Sequence, residues 1–277
     1  MAYADQEYYL YEKTTGIWKK GIDQNPPTYW YPVKLSEWYG RSLKAAFGGR
    51  ALILNRGKGY LEILDLVNYD PIRGKIGKFV ISVSPGSFVY DFKVIGEDQD
   101  YLIVLTNDGQ LTLFSLDLET KNSSIVATKS FDMLRERSER ALTLSVSQDS
   151  RFFAIQTYSA KKPKPASRLI IGELYHDRFV EKNSLDLYSQ GLSRFRASEF
   201  VEAKNEAGSR KLVLCTLSDD GPSLLVSYAY DVQTGALGEI RAARKTISVE
   251  NIVRLIKMDE NLVCTGSDGR KACIRYF

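Results

Sequence analysis

Apolar residues recur along this chain in short runs of four to eight, separated by polar turn residues, while helical periodicity is scarce. The runs are rich in Val, Ile, Leu, Tyr and Phe, and many alternate, as in Gln110-Leu111-Thr112-Leu113-Phe114-Ser115-Leu116. Alternation at a period of two places one face of an extended segment in a core, so the pattern predicts an all-β protein. The turns carry a second signal. Asn107-Asp108-Gly109, Asp219-Asp220-Gly221 and Ser267-Asp268-Gly269 each separate two apolar runs, as do Arg56-Gly57-Lys58-Gly59 and the longer segment 161–165. Asp-Gly between apolar runs favours a hairpin, because both residues take positive φ at little cost.

These five hairpins recur at intervals of about fifty residues. A shorter apolar run precedes each one, at 45–47, 88–95, 141–146, 195–201 and 252–258. A further run follows each of the first four, at 78–83, 124–131, 179–187 and 237–247. The repeating unit is therefore four antiparallel strands, the pattern of a β-propeller blade. The pieces VLTNDGQLTLFSLD (104–117) and CTGSDGRKACIRYF (264–277) resemble the second strand, turn and third strand of a WD-repeat-like blade, and KGYLEILDL (58–66) echoes them. No Trp-Asp pair closes a third strand; Leu64-Asp65, Leu116-Asp117 and Tyr276-Phe277 stand there, and the Gly-His signature is missing.

The resemblance implies a β-propeller of about five blades, or six if the N-terminal residues form one. Residues 1–277 form a single domain in this reading, with an aromatic segment at 1–41 and repeated blades at 42–277. The last unit ends after three strands, which leaves an open edge. Propellers of this kind commonly close with an N-terminal strand, and 7–13 or 29–35 is expected to supply it. The alternative architecture is a β-sandwich with long loops.

Composition narrows the chemistry. The 277 residues are 44% hydrophobic and 26% charged, with 38 basic and 34 acidic residues and a net charge of +4. That balance is milder than the field of a dedicated nucleic-acid binder. No apolar run is long enough to span a bilayer, so no membrane insertion is expected. The N-terminus, MAYADQEYYLYEK, has no secretory pattern. Cys215, Cys264 and Cys273 are widely spaced in apolar runs, so they are expected to be buried thiols in a reducing compartment, not zinc ligands. The single histidine, His176, lies in a turn between third and fourth strands, and no phosphate-binding glycine loop occurs. Paired carboxylates of the glycosidase type remain open, although turn chemistry already explains Asp108 and Asp219-Asp220. No cofactor and no enzyme activity are expected.

Two features point to binding. In WD-type propellers one face is built from second-to-third-strand loops and blade connections. On this chain those loops collect Arg56, Lys58, Lys161, Lys162, Lys164, Arg270 and Lys271, and the connections add Arg135, Arg137, Arg140 and Arg194. Fewer acids stand among them: Asp108, Asp219, Asp220, Asp268, Glu136 and Glu139. A basic face steers acidic partners. The prolines at 163 and 165 make the Lys161–Lys164 stretch a stiff projecting loop, similar to the core of some nuclear-localisation signals. The second feature is aromatic: Trp18, Trp30 and Trp38 all fall in the first 39 residues, together with seven tyrosines. Trp and Tyr favour interfaces, although the same segment also suits a packed belt. Residues 131–140 break the strand rhythm and are expected to form a short charged helix capped by Asp132.

Together these features lead to a non-catalytic protein-interaction scaffold inside a larger cytoplasmic assembly, with the nucleus as the second compartment. An RNA- or ribonucleoprotein-binding propeller and a glycan-binding propeller are the alternatives.

Overall fold

The structure is a computed structural model. It describes residues 2–4, 7–12, 16–21, 28–32, 43–70, 75–83, 86–96, 98–131, 140–159, 166–187, 195–204, 210–218, 224–231, 237–239, 245–246, 252–258, 261–266 and 271–275. Two compact units, Met1–Ser130 and Phe131–Phe277, carry them.

The first unit contains three four-stranded sheets. Strands β1 (Ala2–Ala4), β2 (Glu7–Glu12), β3 (Gly16–Gly21) and β4 (Thr28–Pro32) form the first. Strands β5 (Leu43–Ala46), β6 (Ala51–Lys58), β7 (Tyr60–Asp70) and β8 (Lys75–Ser82) form the second. Strands β9 (Val89–Ile95), β10 (Tyr101–Thr106), β11 (Gln110–Asp117) and β12 (Asn122–Ser130) form the third. Each sheet is a meander in chain order, and every pairing is antiparallel. The first strands are neighbours, β1 beside β5 and β5 beside β9, so consecutive sheets converge along that edge.

The second unit repeats the plan. Strands β13 (Arg140–Val146), β14 (Phe152–Ser159), β15 (Ala166–Tyr175) and β16 (Arg178–Asp186) make one sheet. Strands β17 (Phe195–Lys204), β18 (Arg210–Ser218), β19 (Leu224–Tyr230), β20 (Leu237–Glu239) and β21 (Lys245–Thr246) make the next, with β20 and β21 both paired to β19. Strands β22 (Ile252–Met258), β23 (Asn261–Gly266) and β24 (Lys271–Arg275) make a three-stranded sheet. Here too the first strands adjoin, β13 beside β17 and β17 beside β22.

The strands that flank all five repeated turns pair antiparallel with one another, in the expected order. The N-terminal residues fold four strands into a sheet of their own. Both segments offered for closure, now β2 and β4, are members of that sheet, and β24 is the outer edge of the last. The charged helix expected over 131–140 falls on 132–139, outside the described residues.

Apolar faces meet between the sheets. Ile53, Leu61 and Ile63 of the second sheet share one core with Phe92, Leu102, Val104 and Phe114 of the third. In the second unit, Phe152, Ala154, Leu169 and Ile171 pack with Phe200, Tyr228 and Tyr230 of the neighbouring sheet. Each such side chain contributes about 1.5–3 kcal/mol when fully buried.

The seam between β13 and β17 is polar instead. The Thr143 hydroxyl donates to Gln156 Oε1 at 2.9 Å and lies 2.9 Å from Ser198 Oγ. The Ser145 hydroxyl donates to the Ser198 carbonyl at 2.7 Å. All four side chains are buried, so each hydroxyl depends on the others for its hydrogen bonds. Replacing Ser198 by alanine is expected to cost about 1–3 kcal/mol, because it strips partners from two buried hydroxyls. The exposed Ser124→Ala is the reference and should stay within about 0.5 kcal/mol in urea titrations.

Candidate functional site

The β10–β11 hairpin shows why an acidic turn residue need not be catalytic. Gly109 has φ of 84° and donates its N–H to the Thr106 carbonyl at 3.0 Å. The Asp108 carboxylate accepts the Thr106 hydroxyl on one oxygen and the Ser87 hydroxyl, at 2.9 Å, on the other. Asp108 therefore ties the turn to the segment that leads into β9 and serves the hairpin.

Seven of the basic residues singled out from the sequence belong to one kind of connection, while Arg135, Arg137 and Arg194 belong to the stretches that join one sheet to the next and Arg140 begins β13. Arg56 and Lys58 end β6, where Lys58 pairs with Tyr60 across the tight turn into β7. Residues 161–165 join β14 to β15, and residue 270 precedes Lys271 at the start of β24. Each is a second-to-third-strand connection of its own sheet. Lys161, Lys162, Lys164 and Arg270 lie outside the described residues. Trp18 stands in β3 and Trp30 in β4. Cys215, Cys264 and Cys273 stand in β18, β23 and β24.

A cluster that the sequence reading passed over occupies the other end of the β13–β16 sheet. In a meander, the first-to-second and third-to-fourth connections share one end, and the second-to-third connection takes the opposite one. Glu173 and Tyr175 are two apart on β15 and therefore project to one face. Arg151 enters β14 beside them, and Lys182 sits at an irregularity in the β15–β16 pairing, where Ile171 meets Asn183 but Gly172 meets Glu181. The extra residue is Lys182, and such a bulge re-aims a side chain.

Glu173 is 5% exposed yet fully supplied with donors. Arg151 Nε lies 2.6 Å from one carboxylate oxygen; Lys182 Nζ at 3.1 Å and the Tyr175 hydroxyl at 2.7 Å lie on the other. Burial pushes the carboxyl pKa up, but the hydrogen bonds from Tyr175, Arg151 and Lys182 outweigh it and hold the pKa at about 2. The same contacts raise the pKa of Arg151 and of Lys182. Burial, and then the Glu173 charge, push the phenol of Tyr230 up.

Glu173 thus stays ionised near neutral pH, which suits an anchor and not a proton donor. It fixes the Tyr175 hydroxyl while the residue remains 37% exposed. Arg178 and Lys182 stand 5.4 and 5.6 Å from the ring centroid, within cation–π range. The result is an exposed aromatic ring, flanked by cations and held by a buried carboxylate. His176 is exposed in the adjoining turn, as its sequence position indicated. Among the described residues, no group of three or more His, Cys, Asp or Glu stands close enough to hold a metal ion. No described helix is long and apolar enough to cross a membrane.

No protein-family model matches the chain, and no curated protein matches it. Solved structures do. The Chaetomium thermophilum protein Sqt1, bound to the N-terminus of ribosomal protein L10, aligns over 98% of this chain and 67% of its own, with a TM-score of 0.59 and 14% identity. A chain of the mitotic checkpoint complex aligns over 100% of this chain and 86% of its own, with a TM-score of 0.54 and 11% identity. Likeness at this identity shows the fold alone: the chain has an all-β propeller fold. A Pseudomonas aeruginosa periplasmic gluconolactonase aligns over 97% of this chain and 91% of its own at 12% identity, with a TM-score of 0.47, from which nothing about activity follows.

Proposed function

We propose that this protein is a non-catalytic interaction scaffold, a single propeller domain that serves as a subunit of a larger cytoplasmic assembly and binds acidic partners through its basic loops. The observation that carries the reading is the fold likeness to Sqt1, a propeller crystallised with the N-terminus of another protein. Fold does not dictate function, so the surface chemistry has to supply the rest. Supporting it, Arg56, Lys58, Lys161, Lys162, Lys164, Arg270 and Lys271 all stand at or beside second-to-third-strand connections. Trp18 and Trp30 add aromatic contact area in this proposal.

Lys161→Glu, Lys162→Glu and Lys164→Glu made together should test it. Stability should move by no more than about 0.5 kcal/mol, since loop substitutions away from the core are mild. A stoichiometric partner identified by native pull-down and mass spectrometry should associate about tenfold more slowly at low salt, with the loss shrinking as salt rises. Undiminished association at low salt defeats the basic-loop reading. Recovery of nuclease-sensitive RNA in place of a protein defeats the scaffold reading.

A further inference from the structure

One buried side chain at the β13–β17 seam has hydrogen-bonding capacity that its neighbours do not use. Gln156, in β14, is fully buried. Its Oε1 accepts the Thr143 hydroxyl at 2.9 Å, whereas among the described residues its Nε2 has no hydrogen-bond partner. Turning the amide over would hand Nε2 to the Thr143 oxygen and leave Oε1 unmatched instead. Either orientation therefore leaves one amide atom to be satisfied. Buried polar groups are normally paired, because an unpaired one forfeits its bonds to water.

The hydroxyls beside it define the kind of molecule that fits. The Thr143 proton goes to Gln156, and the Ser145 proton goes to the Ser198 carbonyl. Ser198 then has one hydroxyl proton for two close oxygens, Thr143 Oγ1 at 2.9 Å and Ser145 Oγ at 2.5 Å. Around Ser198 the seam is short of a donor, while at Gln156 it is short of an acceptor. A small molecule that both donates and accepts answers both needs. Thr143, Ser145, Gln156 and Ser198 carry no charge, so an ion among them would be buried without a counter-charge from this network. The next pair along on the same face, Ser145 opposite Ala154, consists of small side chains.

We propose that the seam between β13 and β17 is a binding site for an internal water molecule, which bonds the unmatched atom of the Gln156 amide and the hydroxyl cluster of Thr143, Ser145 and Ser198. An internal water of this kind makes about three hydrogen bonds to buried polar groups that would otherwise lack them. Here it would join the two sheets that meet at the seam. The basic loops take no part in the site, so either proposal can fail alone.

The test uses the full chain. A high-resolution crystal structure of the wild type should show a water within hydrogen-bond distance of the Gln156 amide and of at least one of the three hydroxyls. In solution, water oxygen-17 relaxation dispersion counts long-lived internal waters. Gln156→Leu, which keeps the side-chain bulk without its polar atoms, should lose one such water relative to the wild type. Should the leucine variant fail to fold, the wild-type crystal structure decides alone. A wild-type structure with no water at the Gln156 amide overturns the proposal, as does an equal count of long-lived waters in the wild type and Gln156→Leu.

Discussion

Replacing Gly172 by alanine should destabilise the second unit by about 2–4 kcal/mol and lower its melting temperature by about 5–10 °C. Gly172 lies mid-strand in β15, where glycine has no turn to make. Its missing side chain is space used by others. A Cβ there would stand 2.5 Å from Phe153 Cε1 and 2.6 Å from the Val180 carbonyl oxygen. The oxygen belongs to the β16 ladder and cannot swing aside. The ring is fully buried and packs edge-on against Phe179 at 5.6 Å and Phe131 at 6.4 Å. Phe153→Ala should cost about 3–5 kcal/mol by itself. The two changes should be non-additive, because removing the ring removes one of the two clashes that the alanine creates. A melting temperature for Gly172→Ala within about 1 °C of wild type would show that Phe153 has room to move.

Glu173→Gln should cost about 1–3 kcal/mol at neutral pH and flatten the acid limb of the stability curve. The folded-state pKa is about 2, below the usual 4.5. The stabilisation from the carboxylate is therefore complete above the unfolded value and is lost as pH falls from about 4.5 toward 2. Urea midpoints of the wild type should drop across that window, and those of the glutamine variant should drop less. Arg151→Ala should cost under about 1 kcal/mol, since the guanidinium is half exposed and solvent screens its share. Equal acid limbs for the wild type and Glu173→Gln would remove Glu173 from its place as the anchor of Tyr175.

How much of this was legible beforehand can be traced strand by strand. The five hairpins were, because Asp-Gly turns and alternating runs are local properties: φ preference and the period-two pattern act within a few residues. Strands β9 to β12 follow their apolar runs closely for that reason. The N-terminal sheet was harder. Its residues carry many aromatics but little regular alternation, and the strand pairings that organise β1 to β4 are contacts that no single window contains.

The Glu173 cluster was only half legible. Glu173 and Tyr175 share a face by strand periodicity alone, and that signal was available. Arg151 reaches them from the turn just before β14, and Lys182 reaches them from a bulge whose position depends on how β15 and β16 pair. In the same way, Ile125 reads as an ordinary core residue of an alternating strand. It is 62% exposed because β12 is the last strand of its sheet. By itself the sequence determined the all-β class, the four-stranded unit and the turns, since local sterics and burial periodicity suffice for those. The tertiary structure alone decided which carboxylate is buried among cations, which glycine makes room for a ring and which apolar residue is left at an edge, because each depends on register between strands distant in the chain.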